Sequence, residues 1–243
     1  MIGATPDGYN INHDVGSTEP AALQAKVLEE GADVGIAFDG DGDRLQMVNA
    51  KGELLTGDDV LYVLAMHRLA NGDSDAGIVG TLMTNMGLEL ALQESGLRLA
   101  RAKVGDRYVK ELMVAEGWSL GGESSGHIIC GDLSTTGDGV IAALQVLAAV
   151  RASGKSLEAL TSGFNPLPQV LVNVCITKGF DLSAHPTIAE ACRRVESELE
   201  GRGRLLLRPS GTEPVIRVMV EGDDTVAIDA LADEVADAIR QAA

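Results

Sequence analysis

Apolar residues along this chain alternate between two periods, and the switches between them mark out its elements. Residues 32–38 form a short apolar run, expected to be a buried strand leading into an acidic loop. Residues 46–50 continue extended as far as a Lys51-Gly52 turn. Asp58 or Asp59 is placed to cap a helix running to about residue 70, with Val60, Leu61, Leu64 and Leu69 on related faces. Strands are expected at 77–83 and 97–102, and helices at 86–94 and 107–116. Extended segments at 118–120 and 127–130 flank a glycine-rich turn, and 138–151 reads as a long apolar helix. This strand–helix alternation predicts an α/β fold, a mixed or parallel sheet with helices packed on it.

Gly163, Pro166 and Pro168 interrupt both periods. Beyond them, 169–176 alternates as a strand, 184–200 is an amphipathic helix, 204–207 and 215–220 are strands, and 225–240 is a final helix. That β-α-β-β-α order suits a small two-layer α+β domain. A domain boundary is expected near residue 166 and a weaker one near residue 52, dividing the chain into 1–52, 53–165 and 166–243. There is no internal repeat and no low-complexity tract.

Composition sharpens this picture. Apolar residues make up 45% of the 243, enough to build a core. Aromatics are only 3%, so the core must be aliphatic, which favours buried α/β strands over an aromatic-anchored sandwich. The net charge of −17 repels a phosphate backbone and argues against nucleic-acid binding. A small anionic ligand then requires a local concentration of arginine. Cys130, Cys175 and Cys192 form no Cys-x-x-Cys pair and suggest neither zinc nor a disulfide framework, so a reducing cytoplasmic setting is expected. No stretch approaches the ~20 apolar residues of a membrane span, and the first residues carry no secretory pattern.

Three loops carry candidate chemistry. Asp39, Asp41 and Asp43 alternate with glycines directly after a strand, followed by Arg44. Three carboxylates so close repel one another unless a cation joins them, and hard oxygen ligands suit Mg²⁺ or Ca²⁺. An EF-hand is excluded, because its sixth position would be Arg44 and its twelfth Ala50. A solvated acidic turn is the plainer alternative. In Gly121-Gly122-Glu123-Ser124-Ser125-Gly126-His127, Glu123 accepts and Ser125 both donates and accepts, a pairing that suits adjacent sugar hydroxyls. A polar hairpin turn is the alternative there, with His127 a packed histidine. In Arg208-Pro209-Ser210-Gly211-Thr212-Glu213-Pro214, Ser210 and Thr212 offer hydroxyls and the amides around Gly211 an anion-binding concavity. Arg208 and Arg217 add guanidinium forks, and Arg204 adds charge nearby. The alternative is an ordinary turn with Arg217 paired to Glu213 or Glu221.

Taken in order, these loops resemble those of the α-D-phosphohexomutase family over essentially the whole chain. Residues 3–8 (Gly-Ala-Thr-Pro-Asp-Gly), 16–18 (Gly-Ser-Thr) and 104–109 (Val-Gly-Asp-Arg-Tyr-Val) look most like its bacterial phosphoglucosamine mutase branch. Ser124 departs from the Gln or Met more usual there. The resemblance implies four domains around a cleft. Asp39, Asp41 and Asp43 would bind Mg²⁺ in the second, Glu123 and Ser125 would hold sugar hydroxyls from the third, and Arg208, Ser210, Gly211, Thr212 and Arg217 would hold phosphate from the fourth. Arg44 and Arg107 would touch phosphate or its approach path.

The family's catalytic phosphoserine loop, in its first domain, is not found here, so the chain is expected to begin inside the second domain and to need the missing N-terminal domain as its partner. The implied reaction interconverts glucosamine 6-phosphate and glucosamine 1-phosphate through a phosphoserine and a bisphosphate, with no turnover by these residues alone. Phosphomannomutase and phosphoglucomutase relatives share the same loops. A metal-dependent sugar phosphatase using Asp39 as nucleophile and a non-catalytic sugar-phosphate module are the competing readings, and a homo-oligomer stays open.

Overall fold

The structure, a computed structural model, describes residues 1–73, 77–177, 179–210 and 213–243. The chain divides into two compact units, Met1–Asn165 and Pro166–Ala243. The first opens with an irregular segment and α1 (Ala21–Glu30), then the antiparallel strands β1 (Val34–Phe38), β2 (Leu45–Asn49) and β3 (Leu54–Leu55) in that spatial order. The sequence pattern does not announce α1, because Val27 is its one buried residue and leaves no stripe to read.

A second sheet follows. Its elements are α2 (Gly57–Ala70), β4 (Ile78–Thr81), α3 (Met86–Glu94), β5 (Leu99–Ala102), α4 (Asp106–Glu116), β6 (Leu120–Gly122), β7 (Ile128–Cys130), α5 (Gly139–Ser153) and α6 (Leu157–Thr161). The strand order is β5-β4-β6-β7; β4 runs parallel to β5 and β6, and β7 is antiparallel to β6. The mixed sheet expected from the alternating pattern is therefore present. Every residue of β4 is buried, as befits a central strand covered on both faces. Ile78, Leu120 and Ile128 join the core built with α2, α3 and α5, whereas Val79 and Ile129 join Val109 and Met113 of α4 on the opposite face. The period of two along each strand thus separates two helix layers.

Besides α1 and the two-residue β3, which the sequence pattern does not place, three elements differ from it. The cap of α2 is Thr56 and not Asp58 or Asp59: its hydroxyl accepts from the Asp59 amide at 3.4 Å while the Asp59 carboxylate accepts from Thr56 N at 2.7 Å, a reciprocal capping box. Asp58 is instead buried and accepts from Asn85 N at 2.9 Å. The strand expected at 118–120 lies at Leu120–Gly122, because pairing to β4 matches Leu120 with Ile78. Trp118 packs against Gly77, where a Cβ would come within 2.1 Å of the indole. Helix α6, capped by Ser156, is too short to display a period.

The second unit contains β8 (Gln169–Cys175), a single 3₁₀ turn, α7 (Pro186–Glu198), β9 (Gly203–Pro209), β10 (Val215–Gly222) and α8 (Thr225–Ala242). Strand β10 is central and antiparallel to both neighbours. Val174, Ile216, Val218 and Val220 share one face with Ile188 and Val195 of α7 and Leu231, Val235 and Ile239 of α8. The result is the two-layer α+β arrangement that the segment's pattern predicts. Among the described residues, no helix is long and apolar enough to cross a membrane.

Replacing fully buried Leu88 in the first unit's core leaves a cavity where it stood. Leu88→Ala is expected to cost about 2–5 kcal/mol, read as a shift of the urea transition followed by the fluorescence of Trp118, the single tryptophan.

Candidate functional site

The acidic turn leaves the end of β1 and is fixed from three sides. Gly42 N donates to Asp39 O at 3.1 Å, and Gly42 adopts φ of +73°, a conformation glycine tolerates without strain. Gly139, at the start of α5, donates its amide to Gly42 O at 2.9 Å. A Cβ on Gly139 would lie 2.8 Å from Arg44 O and from the Phe38 ring, so only glycine admits this approach. On the other side, Arg44 bridges His127 in antiparallel fashion and Leu45 N donates to Gly126 O at 2.9 Å.

Each carboxylate of the turn has its own surroundings. Asp39 is nearly enclosed and accepts from Arg44 N at 3.1 Å; the Arg44 Nε stands 3.9 Å away. Burial pushes its carboxyl up, but the hydrogen bond from the Arg44 amide, with the Arg44 charge beside it, outweighs that and holds it below the usual carboxylate range. Asp43 lies 3.1 Å from His127 Nδ1, so the imidazole donates through Nδ1–H to the carboxylate. Asp41 is exposed on the tip. Among the described residues, no three Asp, Glu, His or Cys side chains close on one point. The three aspartates share a turn, yet they are not drawn together as a finished cage, since like charges repel and two of them have found donors of their own. Their donor set still suits a hard divalent cation, being carboxylate oxygen throughout.

The glycine-rich loop sits beside this turn, at the carboxyl edge of parallel strands β4, β5 and β6, where open α/β sheets place their ligands. Glu123 is the best-anchored group in it. Its Oε1 accepts from Gly105 N at 2.8 Å and its Oε2 from the Ser125 hydroxyl at 3.3 Å. Each carboxylate oxygen retains a lone pair for a further donor. Gly57 N, at the head of α2, donates to Ser124 O at 2.9 Å. Ser125 is exposed, and His127, which the sequence left as a packed residue, is buried with its Nε2 lacking any hydrogen-bond partner among the described residues. Arg107 stands on the exposed side of α4, 2.8 Å from Glu111. Arg44 is also partly exposed, so both cations border solvent.

In the second unit the loop between β9 and β10 is tied by Ser210 N to Val215 O at 2.8 Å and Glu213 N to Ser210 Oγ at 3.3 Å. Gly211 and Thr212 lie outside the described residues. Arg208 and Arg217 are direct cross-strand partners, and both are half-buried. Neither has a carboxylate partner among the described residues, and the Arg208 Nε is enclosed without any hydrogen bond. Arg204, counted from sequence as added positive charge, is corrected here: it pairs with fully buried Glu221 and its charge is spent inside the sheet. The same pair removes Glu221 as a partner for Arg217.

Sequence reasoning missed Gly105, Gly139 and the contact of His127 with Asp43. A signal was available only for Gly105, a glycine just ahead of the helix expected at 107–116; the structure gives it a φ of +126°, which glycine alone favours.

Comparison with known proteins gives a consistent picture. A family model described as phosphoglucomutase/phosphomannomutase, alpha/beta/alpha domain III, matches residues 56–166, and one described as the phosphoglucomutase/phosphomannomutase C-terminal domain matches 171–238. Phosphoglucosamine mutase of Aeromonas hydrophila is 56% identical over 99% of this chain, and that of Alkalilimnicola ehrlichii 54% identical over 98%. The chain spans about half the length of these curated relatives, 54% and 52%. Among solved structures, Aspergillus fumigatus N-acetylphosphoglucosamine mutase in complex with GlcNAc-6P and magnesium superposes with a TM-score of 0.75 at 20% identity, covering 94% of this chain and 57% of that one. A phosphoglucomutase/phosphomannomutase family protein from Burkholderia thailandensis gives 0.73 at 23% identity, covering 93% and 50%. These two likenesses speak to the fold.

The glycine at 126 is where the two loops of the first unit touch. A Cβ there would meet Leu45 O at 2.1 Å, and its φ is +92°. Gly126→Ala is expected to lose about 1–3 kcal/mol from backbone strain alone and to speed hydrogen exchange at the Leu45 amide.

Proposed function

The chain belongs to the phosphoglucomutase/phosphomannomutase, or α-D-phosphohexomutase, family, and from that premise we propose that it is the sugar- and phosphate-recognising portion of a phosphoglucosamine mutase. The whole enzyme would interconvert glucosamine 6-phosphate and glucosamine 1-phosphate through a phosphoserine and a bisphosphate, with the serine supplied by polypeptide outside these residues. Relatives more than half identical along nearly the full chain support that choice over phosphomannomutase or phosphoglucomutase. In this reading residues 1–52 are the C-terminal part of a metal-binding second domain, 53–165 a sugar-binding third, and 166–243 a phosphate-binding fourth.

The observation that carries the proposal is the pair of opposed arginines. Like charges directly across two strands repel, and Arg208 and Arg217 face each other in register without a carboxylate between them among the described residues. A phosphoryl dianion relieves that repulsion and matches two guanidinium forks. Ser210, Gly211 and Thr212 would complete the grip with hydroxyl and amide donors.

Recognition of the sugar falls to Glu123 and Ser125. The Gly105 amide holds the Glu123 carboxylate in one orientation before any ligand arrives, so its remaining lone pairs are set to accept hydroxyl protons. Ser125 can donate to a ring hydroxyl and accept from its neighbour. Arg44 and Arg107, both reaching solvent, would draw an anionic substrate inward despite the chain's overall negative charge. Asp39, Asp41 and Asp43 would hold Mg²⁺, which when bound supplies positive charge to offset that developing on a transferring phosphoryl group. The Asp43–His127 bond keeps one of these carboxylates directed along the turn. An aspartyl-phosphatase role for Asp39 is not favoured, because its side chain is enclosed and already engaged by the Arg44 amide.

Two measurements bear on this. Calorimetric titration with glucosamine 6-phosphate is expected to show Arg208→Ala and Arg217→Ala each weakening binding by tenfold or more, in line with about 1.5–3 kcal/mol for a charge-assisted contact; unchanged affinity in both would defeat the phosphate grip. Binding of Mn²⁺, followed by its paramagnetic resonance, should fall in Asp41→Asn without loss of folded structure. Equal Mn²⁺ affinity in the variant would remove the acidic turn from the metal role.

A further inference from the structure

The strand register of the second unit brings a third residue to the row of opposed arginines. Arg217 on central β10 is flanked by Arg208 on β9 and by Asn173 on β8, so the three side chains leave the same face of the sheet in one line across it. That is the face away from the helices, since the alternate residues Val172, Val174, Ile216, Val218 and Leu207 pack into the core with α7 and α8. The adjacent row on that face, Leu171–Met219–Leu206, is wholly apolar, and its central Met219 is buried. Asn173 is exposed, and its side chain has no hydrogen-bond partner among the described residues.

Side chains directly opposite on neighbouring strands have Cβ atoms about 4.5–5.5 Å apart. A phosphoryl group seated on Arg208 and Arg217 therefore lies within reach of the Asn173 amide. The residue type at that place matters. An aspartate would offer Arg217 a carboxylate and cancel half of the grip's charge, and an aliphatic side chain would offer no donor. A neutral carboxamide donates through Nδ2–H and leaves both guanidinium charges uncompensated.

We propose that Asn173 is a further phosphate-binding residue, donating its side-chain amide to a phosphoryl oxygen beside Arg217 and extending the grip across all three strands of the sheet. This rests on the reading of Arg208 and Arg217 as the phosphate grip. It narrows the ligand class to a terminal phosphoryl group, whose three oxygens can be shared among two guanidinium forks and one amide.

The test uses the full 243-residue chain with inorganic phosphate and with glucosamine 6-phosphate, titrated by ¹⁵N-resolved NMR. The Asn173 side-chain NH₂ signal, assigned by its disappearance in Asn173→Ala, is expected to shift on phosphate addition. Asn173→Ala should weaken both ligands by about five- to tenfold with an unchanged melting temperature, because the side chain is exposed. Asn173→Asp should weaken them further, to the level of Arg217→Ala. If Asn173→Ala and Asn173→Asp bind as the native chain does while Arg208→Ala and Arg217→Ala do not, the role of Asn173 is overturned and the arginine grip stands. If the arginine variants also bind normally, both fall together.

Discussion

Leu45 donates its amide to Gly126, and beside that bond the imidazole of His127 meets the carboxylate of Asp43, a residue 84 positions earlier in the chain. These contacts are the seam on which the first unit's chemistry depends. A loop carrying three carboxylates gains little from the hydrophobic effect and works against its own charge. It keeps one shape because its backbone groups are spoken for by neighbours: Gly139 from a helix start, Gly126 from the glycine-rich loop, and its own Gly42. The same seam ties down the loop that carries Glu123, and Gly105, beyond the end of β5, fixes the carboxylate from across β4. The acidic turn and the glycine-rich loop thus share a single scaffold of backbone hydrogen bonds, supported by an aliphatic core beneath.

The second unit handles charge in two contrasting ways on one sheet face. Arg204 and Glu221 form an enclosed pair, in which one oxygen of a fully buried carboxylate accepts from its cross-strand neighbour. Two rows along the same strands, Arg208 and Arg217 face each other with no such counterpart among the described residues. The first arrangement sets opposite charges across the strands; the second sets like charges there, the repulsion on which the proposed phosphate grip rests. The contrast within four residues of β10 separates a carboxylate paired across the strands from an arginine that faces another arginine.

Much of this architecture was legible in the chain. Long periodic segments such as 86–94 and the β8–β10 strands follow from apolar spacing, because burial against a sheet demands it. The elements that escaped were those with little to bury: α1, with Val27 as its one enclosed residue, and the short α6. Boundaries moved where a partner strand or a cap overruled local pattern, as at Leu120 and Thr56. For the site, residue type located the loops but not their internal pairing. Arg204 and Arg208 look alike in sequence, and only the register assigns one to Glu221 and the other to Arg217. In the same way, nothing in the local pattern links His127 to Asp43, since that contact arises from the pairing of distant segments.

The close approach of Gly139 to Gly42 and Arg44 has a consequence for how this region can vary. The stretch between Phe38 and Leu45 is held at both ends and in the middle by main-chain groups of three other segments, at Ser17, Gly139 and Gly126, so its length is set as tightly as its composition. The exposed side chain of Asp41 on the tip plays no part in holding that length. Adding or deleting a single residue would throw β2 out of step with its partner and turn its inward face outward, so sequence drift here is confined to substitution.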